Sequence, residues 1–299
     1  MFDTHCHLNF KRYKKTLDDV ISRAIGAGVS QIVIPGTDIT SSKKAIEIAE
    51  KHEGFYAAVG IHPHHAAKYL SATVANPRDS RLRGNDNSEK ISKPALPAGR
   101  QVRDDINEIE NLLDHPKVVA VGEVGMDRHE YEETKYQEYA VDDQFLEIQK
   151  KLLRKQIALA VKYHKSLVLH NREAIDDILP ILEESWDEKL AGHTVFHCCE
   201  PNLQLLTFAK KYHLFIGVDG DVTYDKMKQE FIKEIPIEML VVETDSPFIL
   251  PEPLKSEKKY PNEPAYVQYV VEEVAKLMDS SIEEVSQITM ENGRRLFNL

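Results

Sequence analysis

Two histidines open the chain one residue apart, in Asp3-Thr4-His5-Cys6-His7-Leu8. On an extended segment side chains alternate between faces, so His5 and His7 point one way and Thr4 and Cys6 the other. Two imidazoles side by side make two corners of a metal site. Alone, such a pair is equally compatible with ordinary strand histidines in hydrogen bonds, so the reading depends on further ligands. The chain supplies them. His62 and His64 stand in Gly60-Ile61-His62-Pro63-His64-His65, Glu123 in Gly122-Glu123-Val124-Gly125, His170 and His197 each close a short apolar run, and Asp245 follows another in Glu243-Thr244-Asp245-Ser246-Pro247. Imidazoles with two carboxylates are what a two-metal site needs, one carboxylate bridging.

These residues need a frame that gathers them. Short apolar runs at residues 2–8, 31–35, 55–61, 118–121, 166–169, 194–196, 214–218 and 239–242 read as strands. Helical spacing appears over residues 14–27, ended by Gly28, over 41–51 with Thr40 as N-cap, and over the long stretch 143–163. Residues 173–186, 203–212, 264–278 and 281–297 carry further helices. The strands are too apolar to have a solvent face, as in a parallel sheet buried on both sides. Eight β/α units in 299 residues fit one α/β domain, a (β/α)8 TIM barrel over residues 1–299. A doubly wound sheet is the alternative, disfavoured because no Gly-x-Gly-x-x-Gly follows the first strand. In a barrel, chemistry sits at the C-terminal strand ends, where the candidate ligands fall.

One stretch breaks the pattern. Residues 71–105 are polar, rich in Pro, Gly and Arg, and carry neither helical nor strand period. They read as a disordered low-complexity insertion after the third strand, in preference to a working lid, although their arginines could meet a polyanion. The net charge of −11 argues against a broad basic surface for nucleic acid. Three cysteines, Cys6, Cys198 and Cys199, are too few for a disulfide framework and fit a reducing compartment. With neither a leader pattern nor a membrane-length apolar run, the expectation is a soluble cytoplasmic protein with no membrane contact and no obligate protein partner.

The motifs carry a resemblance. Asp3-Thr4-His5-Cys6-His7-Leu8, Gly60-Ile61-His62-Pro63-His64, Gly122-Glu123-Val124-Gly125, His170-Asn171-Arg172-Glu173-Ala174, Phe196-His197-Cys198, Glu243-Thr244-Asp245-Ser246-Pro247 and Asn262-Glu263-Pro264 resemble, in order, the TatD family of metal-dependent deoxyribonucleases, within the amidohydrolase-like barrels. The resemblance covers nearly the whole chain outside residues 71–105. It implies two divalent ions, Mg, Mn or Zn. His5, His7, Glu123 and Asp245 would hold the first; Glu123, as bridge, with His170 and His197 would hold the second. Asp245 would orient or deprotonate the attacking water, and His62, His64 and Arg172 would face the substrate phosphate. Asp3 is expected to orient a ligand histidine or cap a barrel layer in preference to binding metal, Glu243 to stand behind the ligands, His65 to be solvated, and Cys6 and Cys198 to point away from the cavity. The pattern departs from the family at Met126-Asp127-Arg128-His129, where Leu-Asp-Tyr and an aromatic are usual, and at Pro261, where a basic residue is common.

The expected function is therefore a phosphodiesterase acting on DNA, from a strand end, with metal-activated water as nucleophile. The DNA would be held locally through the metals and a few groups. A barrel hydrolase of an amide, lactone or small phosphoester is the alternative, since the fold does not choose. No lysine stands at the end of strand four for carboxylation, which disfavours a cyclic-amide hydrolase. A non-enzymatic metal-binding scaffold would be favoured by lost ligands, and none is lost.

Overall fold

The computed structural model describes residues 1–70, 98–132, 134, 136 and 139–299. Its centre is an 8-stranded parallel sheet whose spatial order follows the chain. The strands are β1 (Phe2–Asp3), β2 (Gln31–Pro35), β3 (Phe55–Val59), β4 (Val118–Asp127), β5 (Ser166–Arg172), β6 (Thr194–Phe196), β7 (Phe215–Val218) and β8 (Leu240–Val242). The ring closes between β8 and the segment after β1. Thr4 N–H donates to the Val242 carbonyl at 3.1 Å, and Cys6 bridges to Ser246 in parallel. The helices are α1 (Leu17–Gly26), α2 (Ile39–Ala49), α3 (Ala98–Leu112), α4 (Asp143–Tyr163), α5 (Ile175–Glu184), α6 (Leu203–Tyr212), α7 (Lys226–Lys233), α8 (Val267–Leu277) and α9 (Ile282–Phe297). Among the described residues no helix is long and apolar enough to cross a membrane.

Each strand places one side chain in a layer that fills the barrel: Phe2, Val33, Ala58, Ala120, Val168, Val195, Phe215 and Val241, all buried. Leu296 and Phe297 of α9 plug the layer from the N-terminal end, the Phe297 ring 5.9 Å from Phe2. A second core, with Ile32, Ile34, Val59 and Leu167 facing out from the strands, packs the helices onto the barrel. Burying both strand faces explains why the strands read as unbroken apolar runs. Two residues beyond the plug layer the strands turn the next side chain inward. Those residues are Thr4, Pro35, Gly60, Gly122, His170, His197, Gly217 and Glu243, so the site rests directly on the apolar floor. Gly217 leaves room there: a Cβ at this position would lie 2.6 Å from Glu243 Oε1.

Several boundaries differ from expectation. β1 ends at Asp3, not Leu8, because the chain leaves the ladder to let Asp3 accept from His5 N–H at 3.3 Å and Thr244 N–H at 3.0 Å. The N-cap of α2 is Asp38, not Thr40, in a reciprocal capping box with Ser41. β4 runs on to Asp127, six residues past the predicted end, since Val124 to Asp127 pair with Leu169 to Arg172 of β5 beyond a register shift that skips Gly122 and Glu123. Residues 71–97 of the expected insertion lie outside the described residues, whereas 98–105 belong to α3, whose Ile106 and Ile109 are buried against the barrel.

Candidate active site

At the C-terminal mouth of the barrel, seven predicted residues converge. β4 slips register against β5 between Val121 and Val124, and Glu123 N–H donates to the Gly36 carbonyl at 2.9 Å. Such an irregularity re-aims a side chain, and here Glu123 enters the cavity. Its two oxygens face different partners. Oε2 lies 3.6 Å from His5 Nε2 and 3.5 Å from His7 Nε2. Oε1 lies 2.9 Å from His170 Nδ1, 2.8 Å from His197 Nε2 and 3.3 Å from His62 Nε2.

Asp245 completes the first group. Its Oδ1 stands 3.7 Å from His5 Nε2 and 3.4 Å from His7 Nε2, and these two nitrogens are 3.3 Å apart. Asp245 takes a positive φ of 46°, held by its N–H donating to the His5 carbonyl at 2.9 Å. An aspartate tolerates that conformation better than most residues. Asn262 secures the following loop, donating to the Thr244 and Ile249 carbonyls at 2.9 and 3.0 Å. Its neighbour Glu263 makes a paired salt bridge with Arg23 at 2.7 Å, so in this stretch both side chains brace the loop.

These groups fit divalent ions. A tetrahedral ion with bonds of about 2.1 Å has ligand atoms about 3.4 Å apart, the spacing found among His5, His7, Glu123 Oε2 and Asp245. Burial holds the His5 imidazole down at about 4, with His197 adding to the effect, so it is neutral and free to ligate. Burial alone would raise the Glu123 carboxyl. The His62 and His197 imidazoles, with bonds from His170 and His197, overturn this and hold it well below the usual carboxylate range. Burial pulls His170 down, yet Asp127 and Glu123 hold it up at about 10. Positive charge is wanted at that point, filled here by a proton that a metal ion would displace.

The other predicted residues are placed differently. His62, expected at the substrate phosphate, joins Glu123 and His170 in a group of metal-ligating character. His64 faces an aromatic wall, its ring 5.2 Å from Tyr131 and 5.1 Å from Tyr139, with Nε2 2.9 Å from Thr134 Oγ1. His65 is buried rather than solvated, 2.6 Å from the Tyr136 hydroxyl, because the turn after β3 folds inward. Arg172 lies at the rim, donating to the Tyr131 hydroxyl at 3.1 Å with its guanidinium 5.1 Å above that ring. Asp3 binds backbone of His5 and Thr244 as expected. Cys6 turns away from the cavity to Ser246 Oγ at 2.9 Å.

Asp127 was missed. It is buried, its Oδ2 lies 3.2 Å from His170 Nε2, and it accepts from the Tyr131 hydroxyl at 2.8 Å. A chain thus runs Glu123, His170, Asp127, Tyr131, Arg172. Strand alternation was the available signal, since Glu123, Gly125 and Asp127 share one face of β4. Glu243 sits behind His197 as expected, Oε1 3.8 Å from Nδ1, and also accepts from Cys198 N–H. With His5 and His197 it forms a third group able to ligate a cation.

Residues 2–298 match the family described as TatD related DNase. The chain belongs to that family. A Bacillus subtilis protein named as the uncharacterized metal-dependent hydrolase YabD is 34% identical over 301 residues, covering 100% of this chain and 99% of its own. An Erwinia tasmaniensis relative named as a 3'-5' ssDNA/RNA exonuclease TatD is 30% identical over 305 residues, covering 100% of both. The crystal structure of YJJV, a TatD homolog from Escherichia coli, superposes with a TM-score of 0.78 at 26% identity, covering 100% of this chain and 98% of that one. As a TatD-family member the chain is a metal-dependent hydrolase, built on the expected barrel.

Proposed function

We propose that this TatD-family enzyme is a two-metal phosphodiesterase that hydrolyses DNA from a strand end. The carrying observation is Glu123, whose separate oxygens serve two histidine groups. His5, His7, Glu123 and Asp245 would hold one ion, and Glu123, His170 and His197 the other. His62 stands close enough to the second group to join it or to contact phosphate. Bound divalent ions of the Mg, Mn or Zn kind would supply Lewis acidity toward a phosphoryl oxygen and lower the pKa of water. Asp245, at the edge of the cavity, would orient the attacking water and accept its proton. Arg172 would offer its planar fork to phosphate oxygens, with Tyr131 holding it in register. His64, on the aromatic wall, would contact substrate beyond the reacting phosphate. Support for a nucleic-acid substrate comes from relatives named as exonucleases of single-stranded DNA and RNA.

The test is hydrolysis of 5′-labelled single-stranded DNA by metal-stripped protein, with Mg, Mn or Zn added back. A metal-dependent ladder is expected, reduced ~10³-fold or more in Glu123→Ala, since bridging-ligand loss removes several kcal/mol of transition-state stabilisation. No cleavage with any ion, together with Glu123-dependent turnover of an amide, lactone or small phosphoester, would replace the nuclease reading with the alternative hydrolase.

A further inference from the structure

Beside the His7 corner of the site, a cleft of about 1050 Å³ opens between the segment after β1, the start of α2 and the loop after β8. It exceeds the upper end of the range that small ligands fill, about 300–1,000 Å³. At its inner end the Phe10 ring stacks on His7 with centroids 4.3 Å apart, and Phe248 meets His7 edge-on at 6.2 Å. Further out, Tyr260 joins the lining. Although Phe248 touches His7 and Phe10 by its edge, it is still 49% exposed, and Tyr260 is 56% exposed, so both rings leave much of their surface open to the cleft. Lys11 and Arg12 stand on the same wall, both exposed. Lys43 and Lys44 are engaged by Glu108 and Glu47, each at 3.0 Å, but Lys11 and Arg12 have no acidic partner among the described residues. The lining holds four cations, Lys11, Arg12, Lys43 and Lys44, against two carboxylates, Asp38 and Glu47, so the cleft carries a local excess of positive charge on a chain of net charge −11.

We infer that this cleft is the track for the single-stranded remainder of a polynucleotide whose end lies at the metal site. Bases would stack on Phe248 and Tyr260, and Lys11 and Arg12 would follow the backbone phosphates. Stacking is tolerant of sequence because every base has a π-face, and cations on a backbone read charge, not sequence. A duplex would not present unstacked bases to the rings, so the track selects single strands. The inference rests on the nuclease reading and deepens it. A small-molecule esterase would have no use for a charged aromatic groove leading away from its metals.

The test compares wild type, Lys11→Gln/Arg12→Gln and Tyr260→Ala, all metal-loaded, on three substrates: a long single-stranded oligonucleotide, a dinucleotide and bis(p-nitrophenyl) phosphate. Binding of a phosphorothioate oligonucleotide is followed at several salt concentrations. The expected result is a fall of about tenfold or more in kcat/KM on the long strand for either variant, carried by KM. Turnover of the small diester should be unchanged. The salt slope of binding should fall by roughly 1.4 in the double variant, about 0.7 per cation removed. Wild-type cleavage of the long strand with unaltered kcat/KM and salt slope in both variants would overturn the track and leave the nuclease reading standing. Equal losses on the small diester and the long strand would also overturn it, by showing a general structural effect. Wild type that turns over the diester but neither cleaves nor binds the long strand would overturn both.

Discussion

Glu123 and Asp127 show how single residues divide the work on one strand. Glu123 reaches forward to two imidazole groups, and Asp127 reaches back to the far nitrogen of His170 at 3.2 Å. Burial alone would raise the Asp127 carboxyl, but the bond to His170 and the charges of His170 and His62 hold it down at about 2. It therefore stays anionic and keeps Nε2 of His170 protonated, which leaves Nδ1 to face Glu123. Partners of this kind orient a ligand imidazole, and losing one costs about 10–100-fold in metal affinity. Asp127→Asn is expected to weaken one ion by that factor and leave the other nearly unchanged. Calorimetric titration with Mn or Zn would read this as a split into unequal sites. Two sites weakened together, or neither, would refute the role. The motif histidines and Asp245 were legible because rare residue types closed apolar runs. Asp127 was not, because an aspartate in mid-sequence has no mark of its own until strand pairing gives it a face.

Elements hold these residues by reading backbone. Two glutamines one face apart on α4 do this. Gln149 accepts from Asp127 N–H and donates to its carbonyl, both at 2.9 Å, and Gln156 does the same for Ile61 at 2.7 and 3.1 Å. Both side chains are buried, so each amide substitutes for a missing ladder strand at an irregular strand end. Gln149→Leu would leave a buried N–H and carbonyl unpaired. It is expected to cost about 2–6 kcal/mol, at 1–3 per orphaned group, with a lower urea midpoint as the check. A loss within ~0.5 kcal/mol would mean that the backbone of Asp127 finds other partners. The helix pattern of α4 was readable from its apolar face, and its ends agree with expectation. The glutamines read as polar filler, because nothing local tells a buried amide from an exposed one.

The whole molecule concentrates uncompensated charge at one mouth. Asp3, Glu123, Asp127, Glu243 and Asp245 are all buried there, against the five histidines His5, His7, His62, His170 and His197. Burial raises Glu243 well above its ordinary value, with Asp219, Asp245 and Asp3 adding to the effect. Bound cations would relieve that field, so metal removal should lower stability as well as activity. An ion at a hundred times its Kd adds about 2.7 kcal/mol, or a rise in Tm of roughly 5 °C per site. Scanning calorimetry of chelated and reloaded protein checks this. An unchanged Tm at saturating Mn and Zn would speak against ions bound at these carboxylates.

The barrel was determined by the sequence itself. Apolar runs of strand length alternating with helical periods leave few ways to bury both faces of the strands, and the order of the motifs along the chain sets them at one rim. What only the tertiary structure decided were matters of aim. The strand that was to carry His5 and His7 ends at Asp3, and a hydrogen-bonded closure with β8 brings the two imidazoles together instead. A register slip in β4 turns Glu123 inward. His62 lies with the metal-ligating groups and His64 against tyrosines, although they stand two residues apart in one motif. Periodicity fixes which layer a residue joins, but the direction of a side chain at a strand end depends on contacts with segments far away in the chain. Those contacts exist only after the barrel closes.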